Sequence, residues 1–152
     1  MNIDRCPSTL VPGFTSYSPA GLRKLFDGKK VSPILPYDAT DIHGEPEEFL
    51  ENREHISISG VQEKLSVLVD QGTIRLTKSG EQGTHLLKPI SSRLARASDM
   101  PANEHVTMQI AAQLFGISTA PNGLCFFRTG EPAYITRRFD ITQELSLIHI
   151  SE

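Results

Sequence analysis

The chain has 152 residues, a formal net charge of -3 and 38% hydrophobic residues. This length suits one domain or one lobe of a larger protein. The acidic balance, with a pI of about 5.9, argues against direct nucleic-acid binding as the main task. The sequence shows no apolar run long enough for a membrane span and no secretion signal at its start. Cys6 and Cys125 stand alone, which predicts neither a disulfide framework nor a metal pair and favours a reducing cytoplasm.

The first 55 residues are rich in proline and predict an arm that packs against the rest of the chain. Within it, "SPAGLRKLFDG" predicts a short helix with Ser18 as N-cap, Pro19 in the first turn and Gly28 at the end. The apolar side of this helix consists of Leu22, Leu25 and Phe26. The stretch "EPEEFLENRE" predicts a second short helix, because its first turn is acidic.

The pattern changes to strands after Ile56. "KLSVLV" and "TIRLT" flank "DQG" and predict a hairpin that turns at Gly72. "THLLKPI" predicts a third strand, ended by Pro89. "NEHVTMQIAAQLFG" predicts the main helix, with Asn103 as cap and Gly116 as stop. "LCFFRT" and "AYITRRF" predict a second hairpin around "GEP", so the sequence predicts an α+β fold with an antiparallel sheet and one main helix.

Glu104 stands near the start of the main helix, on its predicted apolar face. At 100° per residue that face also carries the following apolar residues: Val106, Met108, Ile110, Ala111, Leu114 and Phe115. The compact polar side consists of His105, Gln109 and Gln113, and we expect the helix to be buried over more than half of its circumference. Two interpretations of Glu104 are open. It is either a first-turn carboxylate that suits the helix dipole, or an inward-pointing carboxylate that needs a cationic partner.

Lys88 is the natural partner for Glu104, since it closes the apolar strand "HLLK" on the face opposite Leu87. The alternative is a solvated lysine at a strand end. Kinase-like folds use a lysine on the third strand, paired with a helix glutamate, to hold nucleotide phosphates. The order of strand lysine and helix carboxylate here matches that device.

The stretch "SISGVQEK" precedes the first strand and contains Ser57, Ser59, Gly60 and Lys64. It lacks the GxGxxG pattern of a protein-kinase glycine loop. Main-chain N–H groups around a small-residue turn, with two hydroxyls and a lysine, are able to bind phosphate oxygens. A polar turn without a ligand is the alternative.

Four blocks of this sequence resemble the HipA-like serine/threonine kinases of bacterial toxin–antitoxin modules: "SISGVQEKLSVLV", "THLLKPI", "NEHVTMQIAAQLFGI" and "YITRRFD". The resemblance implies a kinase-like N-lobe and hinge over residues 56–140, preceded by an N-terminal arm over residues 1–55. The arm, with its "CPSTL", is similar to the shorter HipT-type members, which lack an extra N-terminal subdomain. The tail over residues 141–152 contains "LSLIHISE", which is unlike the family's continuation, and we interpret it as foreign sequence.

The resemblance also implies roles for individual residues. Glu104 would pair with the strand lysine, and Ser57 and Ser59 would be autophosphorylated, which lowers activity because phosphate repels the nucleotide. Arg137 replaces the glutamate usual at the first hinge position, which puts a side-chain contact with adenine in doubt. The implied ATP-binding set is Ser59, Gly60, Val61, Gln62, Glu63, Lys64, Lys88, Arg137, Arg138 and Phe139.

The family's catalytic aspartate, its asparagine and its metal-binding aspartate lie in a C-lobe beyond the hinge. No HxD…N pattern occurs in the 152 residues. We therefore expect this chain to be the N-terminal part of the kinase, with no catalytic or metal-binding residue of its own. The ligands of the Mg²⁺ that accompanies ATP would come from the C-lobe.

The resemblance leads to two hypotheses about function. In the first, the intact cytoplasmic protein transfers phosphate from ATP to a protein serine or threonine, with an aminoacyl-tRNA synthetase as target. A HipB-like antitoxin would be its partner, DNA would be reached only through that antitoxin, and no membrane is involved. In the second, the chain is a non-catalytic module that binds nucleotide or antitoxin.

Overall fold

The computed structural model describes residues 1–43, 63–90 and 96–139. In these ranges the chain forms an α+β structure around one five-stranded antiparallel sheet. The helices are α1 (Pro19–Phe26), α2 (Ala39–His43) and α3 (Met100–Gln113), with a 3₁₀ turn at Ala97–Asp99. The strands are β1 (Leu65–Asp70), β2 (Thr73–Leu76), β3 (His85–Lys88), β4 (Asn122–Phe126) and β5 (Pro132–Arg137).

The sheet has the strand order β2-β1-β3-β5-β4 and contains both predicted hairpins. In the first hairpin Asp70 pairs with Thr73, and the two turn residues, Gln71 and Gly72, have φ angles of 49° and 78°. Two left-handed residues form the tight turn that matches the twist of the flanking strands. The hairpin predicted from "DQG" is therefore confirmed.

The hydrophobic core lies between one face of the sheet and the N-terminal arm. Strand residues alternate, so that Leu65, Leu87 and Ile135 are at most 2% exposed. The arm covers them with Leu25 and Phe26 of α1 and with further apolar residues between the helices. The predicted arm thus shares one core with the sheet. The predicted boundary at residue 55 lies outside the described residues.

Helix α1 begins and ends as its sequence predicts. The Ser18 hydroxyl accepts a hydrogen bond from the Gly21 N–H at 3.1 Å, and Pro19 occupies the first turn. The helix ends where Asp27 and Gly28 take left-handed backbone conformations. The second helix predicted in "EPEEFLENRE" falls outside the described residues.

The short helix α2 was not predicted, although its sequence carries a start signal. The Asp38 N–H donates to the Asp41 carboxylate at 2.8 Å, and the Asp41 N–H donates to the Asp38 carbonyl at 3.0 Å. The first bond is one half of a capping box, in which the side chain of the third helical residue accepts from the N–H of the N-cap residue. The second is a main-chain bond between residues three positions apart. The sequence signal that could have located this helix is the spacing of Asp38 and Asp41, two aspartates three positions apart.

Helix α3 begins earlier than predicted. It starts at Met100 with Pro101 in its first turn, so Asn103 lies inside the helix and is not its cap. A proline is tolerated in the first turn because the N–H that it lacks has no partner there. The first turn contains no acidic residue, and Glu104 lies in the second turn. The first-turn interpretation of Glu104 was therefore wrong. The predicted stop at Gly116 is confirmed by its φ of 63°.

The orientation of α3 also differs from the prediction. His105, from the predicted polar side, is fully buried, whereas Val106 and Ile110 are each 42% exposed and Leu114 is 76% exposed. The reason is Asn122 of β4, whose side-chain oxygen accepts hydrogen bonds from His105 and Gln109. Because the sheet presents a buried amide to this helix, the polar side of the helix must face it.

None of the helices in the described ranges is long and apolar enough to span a bilayer.

We predict that the free energy of unfolding falls as the pH drops from about 7.5 to about 5.5. Burial lowers the pKa of both His85 and His105 below the usual 6.5. The unfolded chain then takes up protons at a pH where the folded chain does not, so acid favours unfolding in this window. Each histidine lowers the free energy of unfolding by at most about 1.4 kcal/mol per pH unit. Chemical denaturation at several pH values measures the slope.

The variant carrying His85→Gln and His105→Gln provides the control for this pH dependence. This variant lacks both imidazole groups whose pKa values are lower in the folded protein than in the unfolded chain. Its free energy of unfolding is therefore expected to depend less on pH over the same window. An unchanged slope would contradict the assignment. Hydrogen bonds from Arg137 and Arg75 lower the pKa of Asp27 and that of Glu81, so these two carboxylates titrate below this window and do not obscure the comparison.

Candidate functional site

The candidate site is built around Lys88, the last residue of β3. In β3 the buried side chain of Leu87 faces the core, so Lys88 projects from the opposite face of the sheet, towards α3. Its Nζ lies 2.6 Å from Oε1 of Glu104, in the second turn of α3. The two side chains that the sequence suggested as partners are therefore in direct contact.

The ion pair lies against an aromatic ring. Tyr134 of β5 is the cross-strand neighbour of Lys88, and the Lys88 Nζ lies 5.4 Å from the centre of the Tyr134 ring. This is within the range of a cation–π interaction. Burial and the nearby Glu104 charge raise the pKa of Tyr134 to about 12. The phenol is therefore neutral at neutral pH. The sequence did not indicate that Tyr134 belongs to the site, because the register between β3 and β5 was unknown.

The pair remains accessible to a ligand. The side chain of Lys88 is 19% exposed and that of Glu104 is 31% exposed. An ammonium group has three donors, and Glu104 takes one of them. A carboxylate partner fixes the direction of the ammonium group, and the remaining donors are able to bind an anionic ligand.

The predicted phosphate-covering loop enters the sheet beside Lys88. Residues 57–62, which include Ser57, Ser59 and Gly60, fall outside the described residues. Lys64 is exposed, and the next residue, Leu65, pairs with Leu87 of β3. Continuing this antiparallel register by one residue sets Lys64 opposite Lys88. The end of the predicted loop and the lysine of the ion pair therefore lie on neighbouring strands.

The predicted hinge residues are arranged differently. Arg137 lies on the arm side of the sheet, and its guanidinium donates two hydrogen bonds of 2.7 Å to the carboxylate of Asp27. These bonds lower the pKa of Asp27. The structure does not bring the Arg137 side chain to Lys88, because residues at even and odd positions of β5 face opposite sides.

The main-chain N–H groups of the hinge residues are used inside the protein. The Arg137 N–H donates to the Pro121 carbonyl and the Arg138 N–H to the Thr84 carbonyl, at 2.9 and 3.0 Å. Phe139 is 69% exposed. These two N–H groups are therefore already paired, and Phe139 offers an open apolar surface at the end of the described sheet.

A sequence model of the HipA-like C-terminal domain matches residues 56–152, well over half of the chain. The chain belongs to the HipA-like family. Its members are serine/threonine kinases associated with toxin–antitoxin systems. No curated protein matches the chain. Residues 141–152 lie outside the described residues, and the interpretation of that tail as foreign sequence stays a prediction.

We predict a measurable coupling between Asp27 and Arg137. A double-mutant cycle with Asp27→Ala and Arg137→Ala should give a coupling energy of about 0.5–1 kcal/mol, because the pair is bidentate but partly exposed. Chemical denaturation of the four proteins measures it. The coupling should weaken at high salt.

The pair formed by Arg128 and Asp38 serves as the matched control. It makes one hydrogen bond, at 2.9 Å, and the Arg128 side chain is 57% exposed. Its coupling should be smaller than that of Asp27 with Arg137. A larger value for the control pair would show that the bidentate contact does not fasten the arm to β5.

Proposed function

We propose that this chain is the nucleotide-binding lobe of a HipA-like serine/threonine protein kinase. The intact protein would transfer the γ-phosphoryl group of ATP to a hydroxyl group of a target protein. The observation that carries the proposal is the contact between Lys88 and Glu104, which joins the third strand to the main helix in a chain of this family. It supports a kinase-like N-lobe because that lobe uses such a pair to position phosphates.

The proposed role of each group follows from its chemistry. Lys88 supplies a compact positive charge for the phosphate oxygens, and Glu104 holds it in direction. Tyr134 packs beside the ammonium group and limits its contact with water. Lys64 and the loop before it would cover the phosphates from the neighbouring strand. Ser57 and Ser59 would switch the site off when phosphorylated, because added negative charge repels the nucleotide.

ATP would bring Mg²⁺ to the proposed site, and the residues that would bind this ion are a separate question. Among the described residues, no three histidine, cysteine, aspartate or glutamate side chains lie close enough together to hold a metal ion. Glu104 is occupied by Lys88. We propose that the metal ligands of the kinase belong to a C-lobe.

Family membership also supports the wider proposals. The resemblance of the arm, with its "CPSTL", supports a HipT-type member, for which we propose a HipB-like antitoxin as partner and the cytoplasm as location. An aminoacyl-tRNA synthetase is the proposed target. The second candidate function, a non-catalytic module for nucleotide or antitoxin, is favoured by the lack of an HxD…N pattern in the sequence.

We predict that Lys88→Met weakens ATP binding to the chain by about tenfold or more, because a charge-assisted hydrogen bond to phosphate is lost. Glu104→Gln should weaken it in the same direction but less, since the lysine remains. Lys78→Met is the matched control, because Lys78 is an exposed lysine in the connection between β2 and β3. Calorimetric titration with ATP measures the three affinities.

The results of this titration separate the hypotheses. Equal ATP affinity in the Lys88→Met variant and the parent chain would contradict the proposed site. ATP binding that depends on Lys88, followed by no phosphate transfer in the full-length protein, would favour the non-catalytic module. Phosphate transfer by the full-length protein would establish the kinase.

We predict that alanine at both Ser57 and Ser59 removes the autophosphorylated form of the full-length protein while phosphorylation of the target persists. The hydroxyl groups that accept phosphate are absent, whereas Lys88 and Glu104 are unchanged. Mass spectrometry of the protein after incubation with ATP detects the modified peptide. Phosphate found on other residues in the parent protein would overturn the regulatory role of the loop.

A further inference from the structure

A cavity lies on the side of α3 away from Glu104, between this helix, the N-terminal arm and the segment that leads into β4. Its volume is about 410 Å³, and it is lined mainly by polar side chains, including Lys24, Gln109, Gln113, Ser118, Thr119 and Asn122. This volume falls in the range of small-molecule sites, but such sites are usually more apolar. A polar lining of this kind suits a polar ligand.

The floor of the cavity is a fixed hydrogen-bond network around Asn122, whose side chain is buried. Its Oδ1 accepts bonds from His105 Nδ1 and Gln109 Nε2, both at 3.0 Å. Its Nδ2 donates to the Ala120 carbonyl at 2.9 Å, and its main-chain carbonyl accepts from the Ser8 hydroxyl at 2.9 Å. These bonds join the arm, α3 and β4, so the walls are held in place without a ligand.

The wall from α3 is ordered in the same way. Gln113 Nε2 donates to the Thr9 carbonyl at 3.0 Å and to Gln109 Oε1 at 2.7 Å. Because both amides of the helix are fixed by neighbours, a ligand would meet preformed walls. Preorganisation of this kind lowers the cost of binding.

The remaining polar groups of the lining are donors without partners. Within the described residues, the Lys24 ammonium and the hydroxyls of Ser118 and Thr119 have no hydrogen-bond or ion-pair partner. Among the described residues that line the cavity, Lys24 is the one charged residue and none carries a carboxylate. Lys24 and Ser118 are exposed and Thr119 is half-buried, so all three are open to a ligand from solvent. One positive charge and two hydroxyls in the same lining favour an anion.

We propose that this cavity binds a small polar molecule through a carboxylate or phosphate group that contacts Lys24, Ser118 and Thr119. The proposal is independent of the nucleotide site, with which the cavity shares no lining residue. Gln109 follows Glu104 by five positions and therefore projects about 140° away from it around α3. The anion would be held from the arm side, and the Oε1 of Gln113 would accept a hydrogen bond from the polar body of the molecule.

The test is an NMR titration of the ¹⁵N-labelled full chain with inorganic phosphate and, separately, with succinate, at constant ionic strength. We expect saturable shifts at the amides of Ser118, Thr119 and Asn122 at millimolar anion. The anion that gives the lower dissociation constant identifies the group that the cavity prefers. Lys24→Gln should raise this constant about tenfold, because it removes the cation of the described lining.

Lys29→Gln is the matched control, since Lys29 is exposed, lies five residues further along the arm and does not line the cavity. It should change the dissociation constant less than about twofold. Thr119→Val, which keeps the shape and removes one donor, should weaken binding by a smaller factor than Lys24→Gln. Lys88→Met should leave the titration unchanged.

Two results would overturn the proposal. One is the lack of saturable shifts at these amides with either anion. The other is an equal loss of affinity in the Lys24→Gln and Lys29→Gln variants, which would reflect net charge alone. Failure of ATP binding in the Lys88→Met variant has no bearing on this cavity, so the two proposals are tested separately.

Discussion

The burial of one face of the sheet against the N-terminal arm is the constraint on which the rest of the structure depends. Successive side chains of a strand point to opposite faces of the sheet. Because Leu87 packs in the core, Lys88 must project from the other face. The same alternation commits Ile135 to the core and leaves Tyr134 beside Lys88. The chemistry of the face that packs against α3 is therefore set by the packing of the face that contacts the arm.

The polar groups of that second face then decide how α3 lies. Glu104 contacts Lys88, and His105 and Gln109 contact Asn122, so two sets of polar contacts hold the helix along its buried side. Buried polar groups have to be paired, and this requirement outweighs the gain from burying the apolar arc that includes Ile110. As a result, that arc is left open in the described residues.

The sequence predicted the local elements well and the tertiary contacts only in part. Helix α1 and both hairpins follow from caps, turn residues and alternation, which act over a few positions. The contact of Lys88 with Glu104 followed from alternation and helical spacing, together with an analogy to kinase-like folds. The inward side of α3 was predicted wrongly, because hydrophobic periodicity contains no information on a buried amide supplied by a strand that comes later. The direction of Arg137 and the position of Tyr134 likewise depend on strand register.

The shared core has a consequence for how domains of this family are delimited. The matched range begins at residue 56, whereas Leu25, Phe26 and Leu35, which cover the sheet, come before it. The unit recognised by sequence similarity is therefore smaller than the unit that folds in this protein. Substitutions in the sheet and in the arm should compensate for each other during evolution, because a change of volume on one side of a close-packed core must be matched on the other.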